Sequence, residues 1–289
     1  MKASRSEFHT IHGIRHHVRL WGDASSPKLF LLHGWMDVSA SFQFLVDTFK
    51  RDWLVIAPDW RGFGLSEWTR EGYWFQDYYA DLDALVDIYS PSAPARIAGH
   101  SMGGNIACTY TGIRPGRVAK LISLEGFGAG RGKAEMAPAR YERWLNELKE
   151  PPALRPYASF DAVAERLRKN NRRLTEDKAQ FLAQHWAQRA ENGEIVLRFD
   201  PRHKIVNPVL NRVEELIACW QRITCPVLWV ATHEVDPRNW RKDTPAQLQE
   251  RKQAFRNYAE ILLDDSGHMM HHDQPEKLAA IIEDFLLRD

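Results

Sequence analysis

Ala95-Arg96-Ile97-Ala98-Gly99-His100-Ser101-Met102-Gly103-Gly104 is the stretch whose reading decides the fold. The apolar run up to His100 has the length and character of a buried strand, and a helical pattern follows Ser101, so Gly99-His100-Ser101-Met102-Gly103 falls at a strand-to-helix turn. A serine in such a turn has a strained backbone, and side chains two positions to either side of it would collide. Gly99 and Gly103 remove those side chains. The turn lifts the Ser101 hydroxyl to the C-terminal edge of a sheet. The helix behind it aims free N–H groups and its positive end at whatever the serine attacks. Ser101 is thus the candidate nucleophile, and the Met102 N–H a candidate donor to an oxyanion.

Working outward, residues 28–33, 53–58 and 119–125 are further short runs, apolar on both faces, with helical patterns between them; the clearest covers 77–89, where Tyr78, Leu82, Leu85 and Val86 recur at helical spacing. Alternating strand and helix predicts an α/β fold with a mostly parallel sheet covered on both sides. Ahead of these, residues 8–21 read as a polar, histidine-rich hairpin joined at Gly13. The alternation stops at about 131 and resumes with the apolar run 227–231, after Cys225-Pro226. Between lie Arg- and Glu-rich amphipathic stretches, 161–169 and 176–189, with no convincing buried strand. The expected organisation is a core domain in two parts, 1–130 and 223–289, with a helical cap inserted at 131–222. Trp144 and Trp186 are expected to pack that insertion onto the core. One more strand, 259–263, precedes a loop and a final helix, for which Asp273 and Glu276 suggest a capping-box start.

Composition narrows the function classes. The 289 residues sit near the size of roughly 250–300 at which a single core stops growing. Apolar residues at 44% and charged residues at 27% exclude a disordered chain. Lys and Arg (39) balance Asp and Glu (38), so no net field draws nucleic acid or an anionic membrane. Three cysteines make no disulfide framework, the first 20 residues lack the apolar run of a signal peptide, and no window approaches the roughly 20 apolar residues of a membrane span. A cytoplasmic protein acting on a small molecule, with neither nucleic acid nor membrane as partner, is the expectation.

Two further segments complete a serine-based site. His33-Gly34-Trp35 ends the 28–33 run, where glycine permits a close turn and the Trp35 N–H supplies a second oxyanion donor. Gly267-His268 lies in the loop between the last strand and the final helix, which makes His268, of twelve histidines, the candidate base. His271 and His272 are read as neighbours of the base or surface residues. His268 and His271 have no third ligand in sequence, so neither a metal nor another cofactor is expected.

In this order, His33-Gly34-Trp35, the segment Asp59-x-Arg61-Gly62-x-Gly64-x-Ser66, Gly99-His100-Ser101-Met102-Gly103-Gly104 and Gly267-His268 resemble the α/β-hydrolase family. The resemblance implies an eight-stranded, mostly parallel sheet flanked by helices, a cap inserted after the sixth strand, and a Ser-acid-His triad. The layout is similar to haloalkane dehalogenases and epoxide hydrolases, but Ser101 stands where those use aspartate, which disfavours both activities. The 59–66 segment is read as structural. For the acid two positions stay open. Asp236 lies in the loop after the seventh strand, the usual family position, with a slipped register. Glu125 ends the sixth strand, where some haloalkane-dehalogenase-like members place theirs.

The expected activity is hydrolysis of a small-molecule carboxylic ester or related acyl compound through an acyl-enzyme. The alternatives are hydrolysis of a carbon–carbon bond in a diketone-like acid with the same triad and, from another class, a non-catalytic ligand-binding module on the same scaffold.

Overall fold

The computed structural model describes residues 1–70, 72–233 and 243–288. Its centre is an eight-stranded sheet. The chain opens with the hairpin β1 (Ser4–Ile11) and β2 (Ile14–Trp21), then lays down β3 (Lys28–Leu32), helix α1 (Gln43–Thr48), β4 (Leu54–Pro58), α2 (Phe75–Tyr89), β5 (Ala95–His100), α3 (Met102–Ile113) and β6 (Val118–Leu124). An excursion follows through α4 (Ala137–Lys149), α5 (Phe160–Asn170), α6 (Glu176–Trp186), β7 (Ala187–Arg189), β8 (Ile195–Leu197) and α7 (Val213–Trp220). The chain then returns with β9 (Val227–Thr232), α8 (Pro245–Gln253), β10 (Tyr258–Leu263), the single turn α9 (Met270–Asp273) and α10 (Pro275–Leu287).

The strand order is β1-β2-β4-β3-β5-β6-β9-β10, with β1 and β2 antiparallel to their neighbours and the remaining pairs parallel. Period-two alternation explains why the central strands are apolar on both faces. In β3, Phe30 and Leu32 join the core on one face with Leu82 of α2 and Ile106 of α3. Leu29 and Leu31 join the core on the other with Leu45 of α1 and Ile282 of α10. From β3 the chain moves to one side to make β4, then crosses back to place β5 on the other. The C-terminal ends of β3 and β5 therefore flank a topological switch point, the crevice where α/β sheets bind ligands.

The excursion between β6 and β9 differs in two respects from the sequence reading. It is not free of strands: β7 and β8 pair antiparallel, with Ala187 and Ile195 buried. Three-residue strands are too short to show a period. Its helices also differ in role. Leu167 of α5 and Leu182 of α6 enclose a small core of their own, closed by Phe44 from the sheet domain and flanked by Trp186. Helix α4 buries none of its residues, and Tyr141, Leu145 and Leu148 are exposed, so Trp144 does not serve as an anchor onto the sheet in the way Trp186 borders the α5–α6 core.

The last helix also starts differently. Pro275 opens α10 without a side-chain cap, and the Asp273 carboxylate instead accepts from the Gly267 N–H (2.9 Å) and from the Asn171 amide of the excursion (2.7 Å). The capping box lies on α8, between Thr244 and Gln247. Among the described residues no helix is long and apolar enough to cross a membrane.

Candidate active site

Ser101 occupies the turn between β5 and α3 with φ 50° and ψ −114°, a region that costs a residue with a side chain on the order of 1–3 kcal/mol. The surroundings enforce that strain. A Cβ on Gly99 would stand 2.4 Å from the Gly103 carbonyl oxygen, and one on Gly103 would stand 2.3 Å from the Leu32 carbonyl oxygen, so this tight turn is open to glycine alone at both places. The Ser101 N–H donates to the Leu124 carbonyl (2.7 Å) and the Ser101 carbonyl accepts from Asn105 (3.0 Å), which fastens the turn to β6 and to the first turn of α3.

The loop after β3 lies against this turn. A Cβ on Gly34 would be 3.2 Å from Ser101 Cβ, so the backbone leading into Trp35 passes in contact with the serine. Its orientation is fixed by His33, which is fully buried. The Trp60 N–H donates to His33 Nε2 (2.9 Å), so the proton sits on Nδ1, which donates to the Gly34 carbonyl (2.7 Å). Burial holds His33 below the ordinary histidine range and so keeps this neutral tautomer. The effect is to hold the Gly34 carbonyl on the ring while the chain turns on through Met36, whose φ is 59°. In sequence His33 reads only as part of a turn; its partners, Gly34 and Trp60, become visible as a clamp only in three dimensions. Met102 is buried at the head of α3, where the first N–H groups of a helix have no intrahelical acceptor.

His268 arrives on the loop after β10, which is tied down from two sides: Asp273 receives the Gly267 N–H, and the His268 carbonyl accepts a 2.7 Å hydrogen bond from Nε2 of His100, the residue before Ser101. His268 Nδ1 is buried, has no hydrogen-bond partner among the described residues, and faces Glu125 Oε2 at 3.7 Å. That separation is longer than a hydrogen bond. Glu125 follows β6 with φ 56°. Its N–H donates to Val230, and its Oε1 accepts from the Thr232 N–H (2.9 Å), leaving Oε2 turned towards the imidazole. Asp236, the other acid expected from sequence, lies outside the described residues.

Of the two readings open for His271 and His272, the surface one is corrected: they are 0% and 3% exposed, on α9 beneath the His268 loop, as neighbours of the base. His272 Nε2 lies 3.1 Å from the Ser41 hydroxyl, and that hydroxyl donates to Asp37. His271 and His100 pack ring against ring at 4.6 Å. Burial, with His271 and His268 alongside, holds His100 well below the ordinary histidine range, so it is neutral. The 59–66 segment matches its structural reading. Asp59 is buried and accepts from His17 Nδ1 (2.7 Å), the Ser39 N–H (2.6 Å) and the Leu65 N–H (2.9 Å).

Residues 27–275 match the family model described as alpha/beta hydrolase fold. Across curated proteins, the chain is 25% identical over 286 residues to a serine hydrolase-like protein of Danio rerio, covering 93% of this chain and 84% of that one. It is 24% identical to serine hydrolase-like protein 2 of Homo sapiens, covering 93% and 90%. Among solved structures, a thioesterase domain from the curacin biosynthetic pathway superposes with a TM-score of 0.85 at 22% identity, covering 97% of this chain and 99% of that one. The strained serine between β5 and α3, the sheet order around it and the family match over most of the chain agree, and the protein belongs to the α/β-hydrolase family.

Proposed function

We propose that the protein is a serine hydrolase that cleaves a small-molecule carboxylic ester or related acyl compound. The observation that carries this reading is the left-handed backbone of Ser101 at the head of α3: strain of this kind is kept where the surroundings over-determine it, and here they present the hydroxyl at the switch point of the sheet.

In the proposed reaction His268 takes the Ser101 proton as the oxygen bonds to the acyl carbon. The carbonyl oxygen becomes an oxyanion held by the Trp35 and Met102 N–H groups. Removing one such donor typically costs about a hundred- to a thousandfold in rate. Collapse of this intermediate expels the alcohol with the proton from His268, and a water activated by the same imidazole then releases the acid and restores Ser101. Glu125 is the acid of the triad in this reading, supported by the carboxylate oxygen that faces His268 Nδ1. A 3.7 Å gap without substrate fits the role, since such contacts tighten when the reacting complex forms.

The test is covalent labelling with a fluorophosphonate, read by intact mass and peptide mapping. The reading expects one adduct, on Ser101, that disappears in Ser101→Ala and in His268→Ala. A folded wild-type protein that takes no label and turns over no ester in a panel of acyl chain lengths overturns it in favour of a binding module.

A further inference from the structure

Directly behind the nucleophile, three buried side chains from distant parts of the chain meet: Asp37 from the loop after β3, His100 at the end of β5, and His271 on α9. They are 3%, 1% and 0% exposed, and one donor atom from each lies within 4.8 Å of the other two.

Their hydrogen bonds leave three lone pairs unused. His100 spends Nε2–H on the His268 carbonyl, so Nδ1 carries the lone pair, and it has no partner among the described residues. Asp37 Oδ1 takes the Val38 N–H (2.8 Å) and the Ser41 hydroxyl, while Oδ2 has no hydrogen-bond partner and stands 3.6 Å from His271 Nε2. Neither nitrogen of His271 has one. Buried polar atoms left unmade cost on the order of 1–3 kcal/mol each, so three at one point call for a shared occupant.

We propose that Asp37, His100 and His271 form a binding site for a divalent cation of the zinc class, and that its occupation slows the base His268. Two imidazoles with one carboxylate suit Zn²⁺ and its transition-metal neighbours rather than Mg²⁺ or Ca²⁺, which want oxygen cages. Tetrahedral zinc with bonds of about 2.0–2.1 Å needs its donors roughly 3.3 Å apart, so side-chain rotations that draw them in by up to about 1.5 Å close the site and leave a fourth position for water. The coupling follows from the His100 ring, which bonds the His268 carbonyl and whose centroid lies 4.8 Å from that of His268. A cation on its far nitrogen, only half neutralised by Asp37, opposes the positive charge that His268 acquires when it accepts a proton. The kinetic half rests on the hydrolase reading above; the binding half does not.

The experiment is equilibrium dialysis of the untagged, chelator-stripped protein against Zn²⁺ alone, with elemental analysis and thermal melts. The wild type is expected to retain one equivalent and to melt higher with Zn²⁺. Asp37→Asn and His271→Gln should each weaken retention by at least about tenfold, the scale on which loss of even an outer partner of a ligand acts. Ser101→Ala and His268→Ala should retain the metal. Ester turnover by the wild type should fall on Zn²⁺ addition and recover with a chelator, and turnover by folded Asp37→Asn should not respond. Should both ligand variants fail to fold, Co²⁺ added to the wild type decides: a tetrahedral visible spectrum supports the site and its absence overturns it. No retained zinc means that a buried water fills the space, and retention abolished by His268→Ala places the metal on the base itself; either result overturns the proposal. Zinc binding without inhibition of an active enzyme overturns the coupling. Failure of Ser101 labelling in the chelator-stripped protein, when that same protein then takes up one zinc, removes the hydrolase reading and leaves the site standing.

Discussion

Glu125 Oε2 and His268 Nδ1 face each other at 3.7 Å, from strand ends on either side of β9, and the second oxygen of the carboxylate is held by the Thr232 N–H. This division of labour makes the acid testable apart from its scaffold. In Glu125→Gln the amide oxygen can still accept from Thr232, so the fold should persist, while the negative charge opposite the imidazole is gone. We expect kcat for a chromogenic ester to drop by roughly three to four orders of magnitude, the scale of an acid-to-amide change in a serine triad. Asp236→Asn should stay within about threefold of the wild type, which is small beside that loss. The reverse ranking would move the acid to Asp236.

The turn itself predicts a stability effect. A methyl group on Gly99 or Gly103 meets backbone carbonyl oxygen at 2.4 or 2.3 Å, and backbone cannot rotate aside. Gly99→Ala and Gly103→Ala should each cost on the order of 1–3 kcal/mol or more in urea unfolding and abolish Ser101 labelling. Full stability in either variant would show that the turn can relax.

Asp273 links the His268 loop to the excursion through Gly267 and Asn171, and Lys178 Nζ of α6 adds a 2.6 Å bond to the His272 carbonyl. Asp273→Leu should loosen the base without removing it: kcat is expected to fall about tenfold, roughly the loss of a supporting hydrogen bond to a charged group, with Ser101 still labelled slowly. Unchanged kcat would mean that the His100 bond alone positions His268.

Acid should unfold the protein partly through Asp59. Burial alone pushes this carboxyl up, but the His17 hydrogen bond and charge, with the backbone N–H of Leu65, outweigh it and leave the group well below the ordinary carboxylate range. A depressed folded value contributes stability that is complete above the unfolded value, near 4, and is lost as pH falls through the folded one. Melting temperature of the wild type should decline below about pH 4, and Asp59→Asn, less stable at neutral pH, should decline less steeply there. Parallel pH profiles for the two proteins would remove Asp59 as a contributor.

How far each residue was legible in the sequence depends on the range of the interaction that defines it. Gly99, Ser101 and Gly103 announce a strained turn because the collision they avoid is between residues two apart. The central strands β3, β4 and β9 were legible because both faces are covered and nearly every position is apolar. Ser101, His268 and the Trp35 and Met102 N–H groups could be proposed as nucleophile, base and oxyanion donors from strand-end position alone. Asp273 was misread as a cap because local spacing suggests one, whereas the carboxylate finds a better partner six residues back and another on the excursion. The hairpin β7–β8 was missed because three residues carry no period.

What the sequence by itself determined is the order of elements and the turn that makes Ser101 special, both products of neighbours along the chain. What only the tertiary structure decided is which distant groups meet at that turn: Glu125 opposite His268, His33 clamping the Gly34 carbonyl, and Asp37, His100 and His271 together in the interior. Those meetings are made by strand order and loop closure across as many as 234 positions, between Asp37 and His271, and hydrogen-bonding groups so far apart in sequence are brought together by the packing of the elements between them rather than by any pattern that the elements carry alone.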